Sequence, residues 1–337
     1  SFSGSKAHGL GFQQDGSMVA TGWFAGEMAL TQDIVLHSPE EKRGFVVGMD
    51  QNGEVSWGKV LDGPGWTIGQ SVDVLQDGSH AVLGAYEGSL AIEETAPEPL
   101  LEATGDSSAF LACFDQEGDL LWARDLGING FVGSGGPPKK GKLISLENGD
   151  IAVAGAFAEG AMLAGDGTDL DPVTPDAEEE RGLYLARYRA DGDHAWTRVV
   201  PVGNAYSAVW DVTELGDGSL VAAGRFSDFA EFDPENPGEN RLEALGAADD
   251  DGFLASWTSD GEFMWALRQG GILYDVLAGI ESFAADQDGH DILIVSASFQ
   301  HEAPFGTGGG DIIELDAAGD VPNEDDIAVL RFDRESQ

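Results

Sequence analysis

Asp77-Gly78-Ser79-His80-Ala81-Val82-Leu83-Gly84-Ala85-Tyr86 is a tight turn followed by a short apolar run that ends in glycine, a small residue and an aromatic. Ahead of the turn, Ser71 to Gln76 alternates, so the whole reads as a β-hairpin with strands on either side of Asp77-Gly78. After a long polar stretch, Ala109 to Asp115 forms a third apolar run. Glu117-Gly118 then turns it into a fourth, Leu120 to Leu126, which carries Trp122. Four short antiparallel strands follow from about sixty residues of sequence.

The unit repeats. Its first turn recurs as Asp15-Gly16, Asn148-Gly149, Asp217-Gly218 and Asp288-Gly289, at spacings of 62 to 71 residues. The second recurs as Asn52-Gly53, Asp191-Gly192 and Asp260-Gly261, and Trp57, Trp122, Trp196 and Trp265 each stand four residues after the glycine. Third strands recur at Phe45 to Asp50, Tyr184 to Arg189, Phe253 to Thr258 and Ala328 to Asp333. Helical periodicity is missing over more than a few residues, which predicts an all-β chain. Four-stranded antiparallel units repeated around an axis make a β-propeller, here with five blades, at 5–62, 68–127, 140–200, 208–269 and 279–337 of one domain.

The fifth unit stops at Asp333-Arg334-Glu335-Ser336-Gln337, where its fourth strand should begin, while Ser1-Phe2-Ser3-Gly4 aligns with Val60-Leu61-Asp62-Gly63. The N-terminal residues 1–4 are therefore expected to close the last blade and remove an open sheet edge. A start at Ser1 without methionine is expected where a leader or tether has been removed.

Composition narrows the partners. With 61 acidic against 17 basic residues the formal charge is −44, spread through every repeat. Nucleic acid is excluded by the lack of a basic stripe, and no apolar run reaches the roughly 18 residues of a membrane span. Such an acidic coat suits solubility in brine, a halophilic or marine setting, and leaves cationic proteins, divalent cations and uncharged glycans as partners. Cys113 is the sole cysteine, so neither a disulfide within the chain nor a multi-cysteine metal site is open to it. Its position is taken by Gly48, Arg187, Ser256 and Arg331 elsewhere, which reads as packing. His8, His37, His80, His194, His290 and His301 fall at unrelated positions without metal-ligand spacing.

All the tight glycine turns belong on one side of a four-stranded meander. The other side carries long, acidic, Pro- and Gly-rich connections: Ala25 to Gly44, Glu87 to Ser108, Ala158 to Gly182, Ser227 to Gly252 and Gln300 to Asp326. That side is the expected functional face. Within it, Asp166-Gly167-Thr168-Asp169-Leu170-Asp171 offers carboxylates on a glycine-bearing loop, and Asp166, Asp169 and Asp171 are candidate Ca²⁺ ligands, although the EF-hand spacing is not met. Recurrence of Trp57, Trp122, Trp196 and Trp265 predicts packing between blades. Trp23, Trp66 and Trp210 do not recur; Trp23 is read at the end of a second strand, the other two in or beside connections between blades, and all three are candidate ligand contacts.

Gly224-Arg225-Phe226, Phe232-Asp233-Pro234, Phe253-Leu254-Ala255 and Trp265-Ala266, with Gly22-Trp23-Phe24, Gly84-Ala85-Tyr86 and Gly155-Ala156-Phe157, resemble the bacterial secreted β-propeller repeat family over essentially the whole chain. Copies one to three lack Phe-Asp-Pro, and copy five has Ala297 where the others have glycine. The resemblance implies a secreted or surface-attached protein and no reaction. The leading expectation is a monomeric, non-catalytic scaffold that binds a protein or glycan through the long-loop face without a cofactor. Two alternatives stand beside it: a carbohydrate-active enzyme with carboxylates in the central funnel, which acidic residues are too plentiful to locate, and a calcium-dependent adhesion module.

Overall fold

The computed structural model describes residues 4–92, 99–127, 141–157, 182–203, 207–245, 250–271, 275–283, 291–300, 302–306, 312–316 and 326–333. Among them there is no helix. The first sheet runs in chain order through β1 (Gly4–Phe12), β2 (Met18–Ala29), β3 (Val35–Met49) and β4 (Val55–Asp62). The second does the same with β5 (Thr67–Val74), β6 (His80–Ile92), β7 (Leu101–Phe114) and β8 (Leu120–Asp125), and a short pairing of Leu61 with Ile92 and Asp62 with Ala91 joins the two. A third follows as β9 (Lys142–Ser145), β10 (Ile151–Phe157), β11 (Gly182–Tyr188) and β12 (His194–Pro201). The fourth begins with β13 (Ala208–Glu214) and β14 (Leu220–Ser227), is interrupted by a ribbon of β15 (Phe229–Glu231) and β16 (Arg241–Glu243), and resumes with β17 (Asp250–Trp257) and β18 (Phe263–Gln269). In the fifth, β19 (Val276–Phe283) and β20 (Ile292–Phe299) precede a ribbon of β21 (Glu302–Gly306) and β22 (Ile312–Asp316) and then β23 (Asp326–Asp333).

The tight turns share one construction. In Leu75 to Ser79, the Leu75 N–H donates to the Ser79 carbonyl at 2.8 Å and the Gly78 N–H to the Leu75 carbonyl at 2.9 Å. The same pair of bonds closes the turns that end at Ser17, Glu54, Asp119, Asp150, Asp193, Ser219 and Glu262. Each places its glycine at a left-handed φ of +80 to +88°, which is why Asp-Gly and Asn-Gly mark them. Asp288-Gly289 lies outside the described residues.

The long connections hold more strand than their composition suggests. Residues 25–44 and 87–108 largely continue the central hairpins of the first two sheets: β2 pairs with β3 out to Ala29 and Val35, and β6 with β7 out to Leu90 and Leu101. Charged residues and Pro39 disguise the pairing, which needs only backbone groups. Trp23 accordingly lies within β2, paired with Gly44, and not at its end.

Gly4 is the first paired residue of β1, opposite Ala25 of the first sheet, where the sequence placed it in the last. The register of β1 on β2 provides eight paired positions, which outweigh an alignment of four residues with Val60 to Gly63. Residues 1–3, the rest of the expected closing strand, lie outside the described residues. The fifth sheet has three strands among the described residues.

By backbone contacts the chain forms two compact units. One comprises Ser1–Val153 with Phe157–Thr174 and Ala186–Ala195; the other comprises Ala154–Ala156, Pro175–Leu185 and Trp196–Gln337. In the first, Val19, Val46, Leu61, Val72, Val82 and Phe110 form one apolar core, and Phe24, Leu36, Phe45 and Val47 another. In the second, Val221, Leu254, Leu277, Ile280, Val295 and Leu330 cluster. The Phe-Asp-Pro turn serves the same unit. Phe232 is buried against Phe253 and Trp257, at ring distances of 5.1 and 6.3 Å, while the Asp233 carboxylate accepts from the side chains of Asn236 and Asn240.

Candidate functional site

At the turns between first and second strands, the first, second and fourth sheets use one polar arrangement. Ser17, Ser79 and Ser219 each donate both backbone N–H and hydroxyl to the carboxylate of Asp15, Asp77 and Asp217, two residues earlier. The hydroxyl contact, then the N–H, holds the Asp15 and Asp77 carboxyls below their ordinary range. In these three turns the carboxylate is engaged within the turn itself.

The opposite end, where the second strands finish and the third strands start, differs among the first, second and fourth sheets. In the first sheet the buried Arg43 guanidinium pairs with Asp62 at 2.6 Å and donates to the Gly65 carbonyl at 2.5 Å. It thereby fixes the connection that carries Trp66, whose carbonyl accepts the Glu87 N–H at 3.0 Å. In the second sheet the Ser108 hydroxyl donates to Asp125. Burial raises the Asp125 carboxyl, against the pull of Ser108 and the Gly127 N–H.

The fourth sheet buries two carboxylates at this end. Asp250 and Asp251 open β17 and are 3 % and 0 % exposed. Alternation along the strand sends them to opposite faces. Arg225 of β14 pairs with Asp250 at 2.9 Å, and Ser227 also donates to it; Arg268 of β18 pairs with Asp251 at 3.2 Å, and the Leu245 N–H donates to it at 3.0 Å. Buried carboxylates persist only with such partners. Close by in sequence and contact, buried Asp275 accepts the Gly271 N–H at 2.6 Å and the Gln300 N–H at 3.2 Å, and its own N–H donates to the Asp250 carbonyl at 2.8 Å. Carboxylates engaged in this way hold loops in place.

Trp210 stands at the β13 bulge between Val209 and Asp211, with the Arg225 guanidinium 6.0 Å from its ring centre. Asp250 and Trp210 therefore share one arginine. In the first unit, Trp23 is half-buried with the Lys42 ammonium 4.5 Å from its ring centre. Trp66 follows on the neighbouring segment: Gly44, opposite Trp23, donates its N–H to the Thr67 hydroxyl at 2.8 Å. Both cation–ring distances fall within the attractive range.

Asp166, Asp169 and Asp171 lie outside the described residues. Among the described residues no group of three or more His, Cys, Asp or Glu side chains is placed to hold a metal, and no helix is long and apolar enough to cross a membrane. A void of about 10 Å³ lined by Tyr184, Val200, Val209, Ala222, Phe253 and Trp257 is apolar and holds at most one water. Cys113 is buried, and burial pushes its thiol up to about 11, which keeps it inert as a nucleophile.

Sequence reasoning missed Arg225, Asp250, Asp251 and Arg268. Asp249-Asp250-Asp251-Gly252 ahead of an apolar strand was the available signal, but it looked like one acidic loop among many.

No protein-family model and no curated protein sequence matches the chain. Among solved structures it is similar to one titled "Crystal structure of glucose dehydrogenase", at 12% identity and a TM-score of 0.34, with 86% of this chain and 93% of that chain covered. At that score the likeness carries no inference about function.

Proposed function

We propose that the five sheets are the blades of a β-propeller that acts outside the cytoplasm as a monomeric binding scaffold, recognising a protein or glycan through its loop-bearing end without chemistry of its own. The observation that carries this reading is the contrast between the two ends of the sheets. One end repeats a single turn closed by the same two backbone hydrogen bonds. The other varies, with arginine-braced carboxylates at Asp250 and Asp251 and aromatic rings at Trp66 and Trp210, a mixture of rigid aromatic and charged groups suited to recognition. The resemblance to the bacterial secreted β-propeller repeat family supports the fold and the location. The backbone hydrogen bonds to Asp275 and the pairing of Asp250 and Asp251 with arginines favour a scaffold over a carboxylate-dependent hydrolase.

A glycan array in high salt, with and without Ca²⁺, paired with capture of secreted and surface proteins, tests the proposal. The expected result is saturable binding that falls on Trp66→Ala or Trp210→Ala with the melting temperature unchanged. Turnover of a polysaccharide, or binding that ignores both tryptophans and is lost on changes at the tight turns, would overturn it.

A further inference from the structure

Three of the four recurring tryptophans perform the same task. Trp57 lies against Gly118, Trp122 against Gly192 and Trp196 against Gly261, so closely that a Cβ at these glycines would stand 2.5, 2.7 and 2.8 Å from the indole. In each case the indole Nε1 donates to the carbonyl two residues before the glycine: Gln116 at 2.9 Å, Ala190 at 3.0 Å and Ser259 at 3.0 Å. Two residues beyond each tryptophan, on the same side of the strand, stands a cation that reaches the same turn. Lys59 contacts the Asp119 carboxylate at 3.3 Å, Arg124 the Gly192 carbonyl at 3.2 Å and the Asp193 carboxylate at 3.6 Å, and Arg198 the Gly261 carbonyl at 2.6 Å. A Trp-x-Lys or Trp-x-Arg strand is thus clamped onto a glycine turn three times, and Gly118, Gly192 and Gly261 are all buried beneath it.

The turn Asp50-Gln51-Asn52-Gly53-Glu54 is built like the other three. Its Asp50 N–H donates to the Glu54 carbonyl and its Gly53 N–H to the Asp50 carbonyl, and Gly53 has a φ of +81° against +82 to +85° in the clamped turns. Yet Gly53 is exposed, and among the described residues the nearest atom to its Cβ position is the Met18 methyl at 4.0 Å. The acceptors are in place: the Gln51 and Gly53 carbonyls match those of Gln116 and Gly118, and the Glu54 carboxylate matches Asp119. All three Trp-x-cation segments of the chain, Trp57-Gly58-Lys59, Trp122-Ala123-Arg124 and Trp196-Thr197-Arg198, already have a turn, and Trp265 is followed by Ala266-Leu267.

We propose that the Gln51–Glu54 turn is a docking site for an extended strand of the form Trp-x-Lys or Trp-x-Arg, supplied from outside residues 1–337. The indole covers Gly53 and donates to the Gln51 carbonyl, and the cation meets Glu54. An acidic surface of formal charge −44 favours the basic residue of such a strand. The site needs neither closure of the five sheets nor a ligand at their loop-bearing end.

The probe is a capped, dye-labelled peptide copying Gly192–Pro201, read by fluorescence anisotropy against the 337-residue protein. Saturable one-to-one binding is expected. Replacing the peptide's tryptophan by alanine, or its arginine by glutamate, weakens it about tenfold or more, the effect of losing one good polar contact. Gly53→Asn, which tolerates the left-handed backbone while filling the indole's place, and Glu54→Lys weaken it to the same degree without lowering the melting temperature. Absence of saturable binding at millimolar peptide, or binding indifferent to Gly53→Asn, overturns the proposal. So does a dimer in solution that Gly53→Asn dissociates, because the occupant is then a second copy. If Gly53→Asn disturbs folding, Glu54→Lys alone decides, since its side chain is exposed.

Discussion

The Trp122 ring closes over Gly192, and its Nε1 reaches past that glycine to the Ala190 carbonyl at 3.0 Å. Gly149 makes the comparison clean: its φ is +87° against +83° at Gly192, but among the described residues nothing lies within 4 Å of its Cβ position. Gly149→Ala therefore carries only the left-handed strain, about 1–2 kcal/mol. Gly192→Ala adds the collision with the indole, about 1–3 kcal/mol more. Urea melts of both variants are the measurement, and equal losses would show that the indole moves aside at no cost.

Much of this architecture is written in the chain because turns with a left-handed glycine have few sequence solutions. Asp77-Gly78 and Glu117-Gly118 locate two turns of the second sheet, and the strands at His80 and Leu120 begin where those turns predict. The far end is less legible. Strand pairing beyond Tyr86 and Trp23 is made by backbone groups beneath charged side chains, so residues 87–92 and 101–108 read as loop although they pair. The charged cluster was hidden for another reason. In a chain with 61 acidic residues, only the partners Arg225 and Arg268 distinguish Asp250 and Asp251, and those arginines come from different strands.

His80 brings a pH dependence. Its ring is 4 % exposed and stacks on Trp57 at 5.8 Å, and burial lowers its pKa from 6.5, against the opposing pull of Asp115 and Asp77. The unfolded chain then binds the proton more readily than the folded one. The contribution to stability is complete above 6.5 and is lost as pH falls from that value through the folded pKa. Asp77, whose carboxyl is held below 3.8, contributes with the same sign at lower pH, so the windows separate. Wild type should lose melting temperature between pH 7 and 5, and His80→Leu should flatten that segment; parallel curves would remove His80 as the cause.

Arg268 and Asp251 illustrate how a buried pair fails. Asp251 is fully buried and the Arg268 side chain is 31% exposed. Arg268→Leu leaves the carboxylate without its cation and is expected to cost roughly 2–4 kcal/mol, the lower part of the range for a broken buried pair because water reaches the arginine. Asp251→Leu combined with Arg268→Leu removes both charges and should recover part of that loss. A double variant as unstable as the sum of the single ones would mean that the pair has no coupling.

Leu10 and Val329 extend the argument to the proposed propeller. Counted from the bulge in each first strand, Leu10 matches Val72, Val212 and Ile280, which are 5 %, 2 % and 4 % exposed. By register on the second strand, Val329 matches Val46, Leu111 and Leu254, all at 0 %. Val46 and Val72 share one core, as do Leu254 and Ile280, so these two positions are the ones through which consecutive sheets pack. Leu10 itself is 51 % exposed and Val329 70 %. A five-bladed body requires both to be covered. Val329→Asp and Leu10→Asp should then each lower stability by about 2–4 kcal/mol, the scale for placing a charge in an apolar contact. Scanning calorimetry of the two variants decides: a melt unchanged from wild type in both would leave these faces open and remove the closed five-bladed reading.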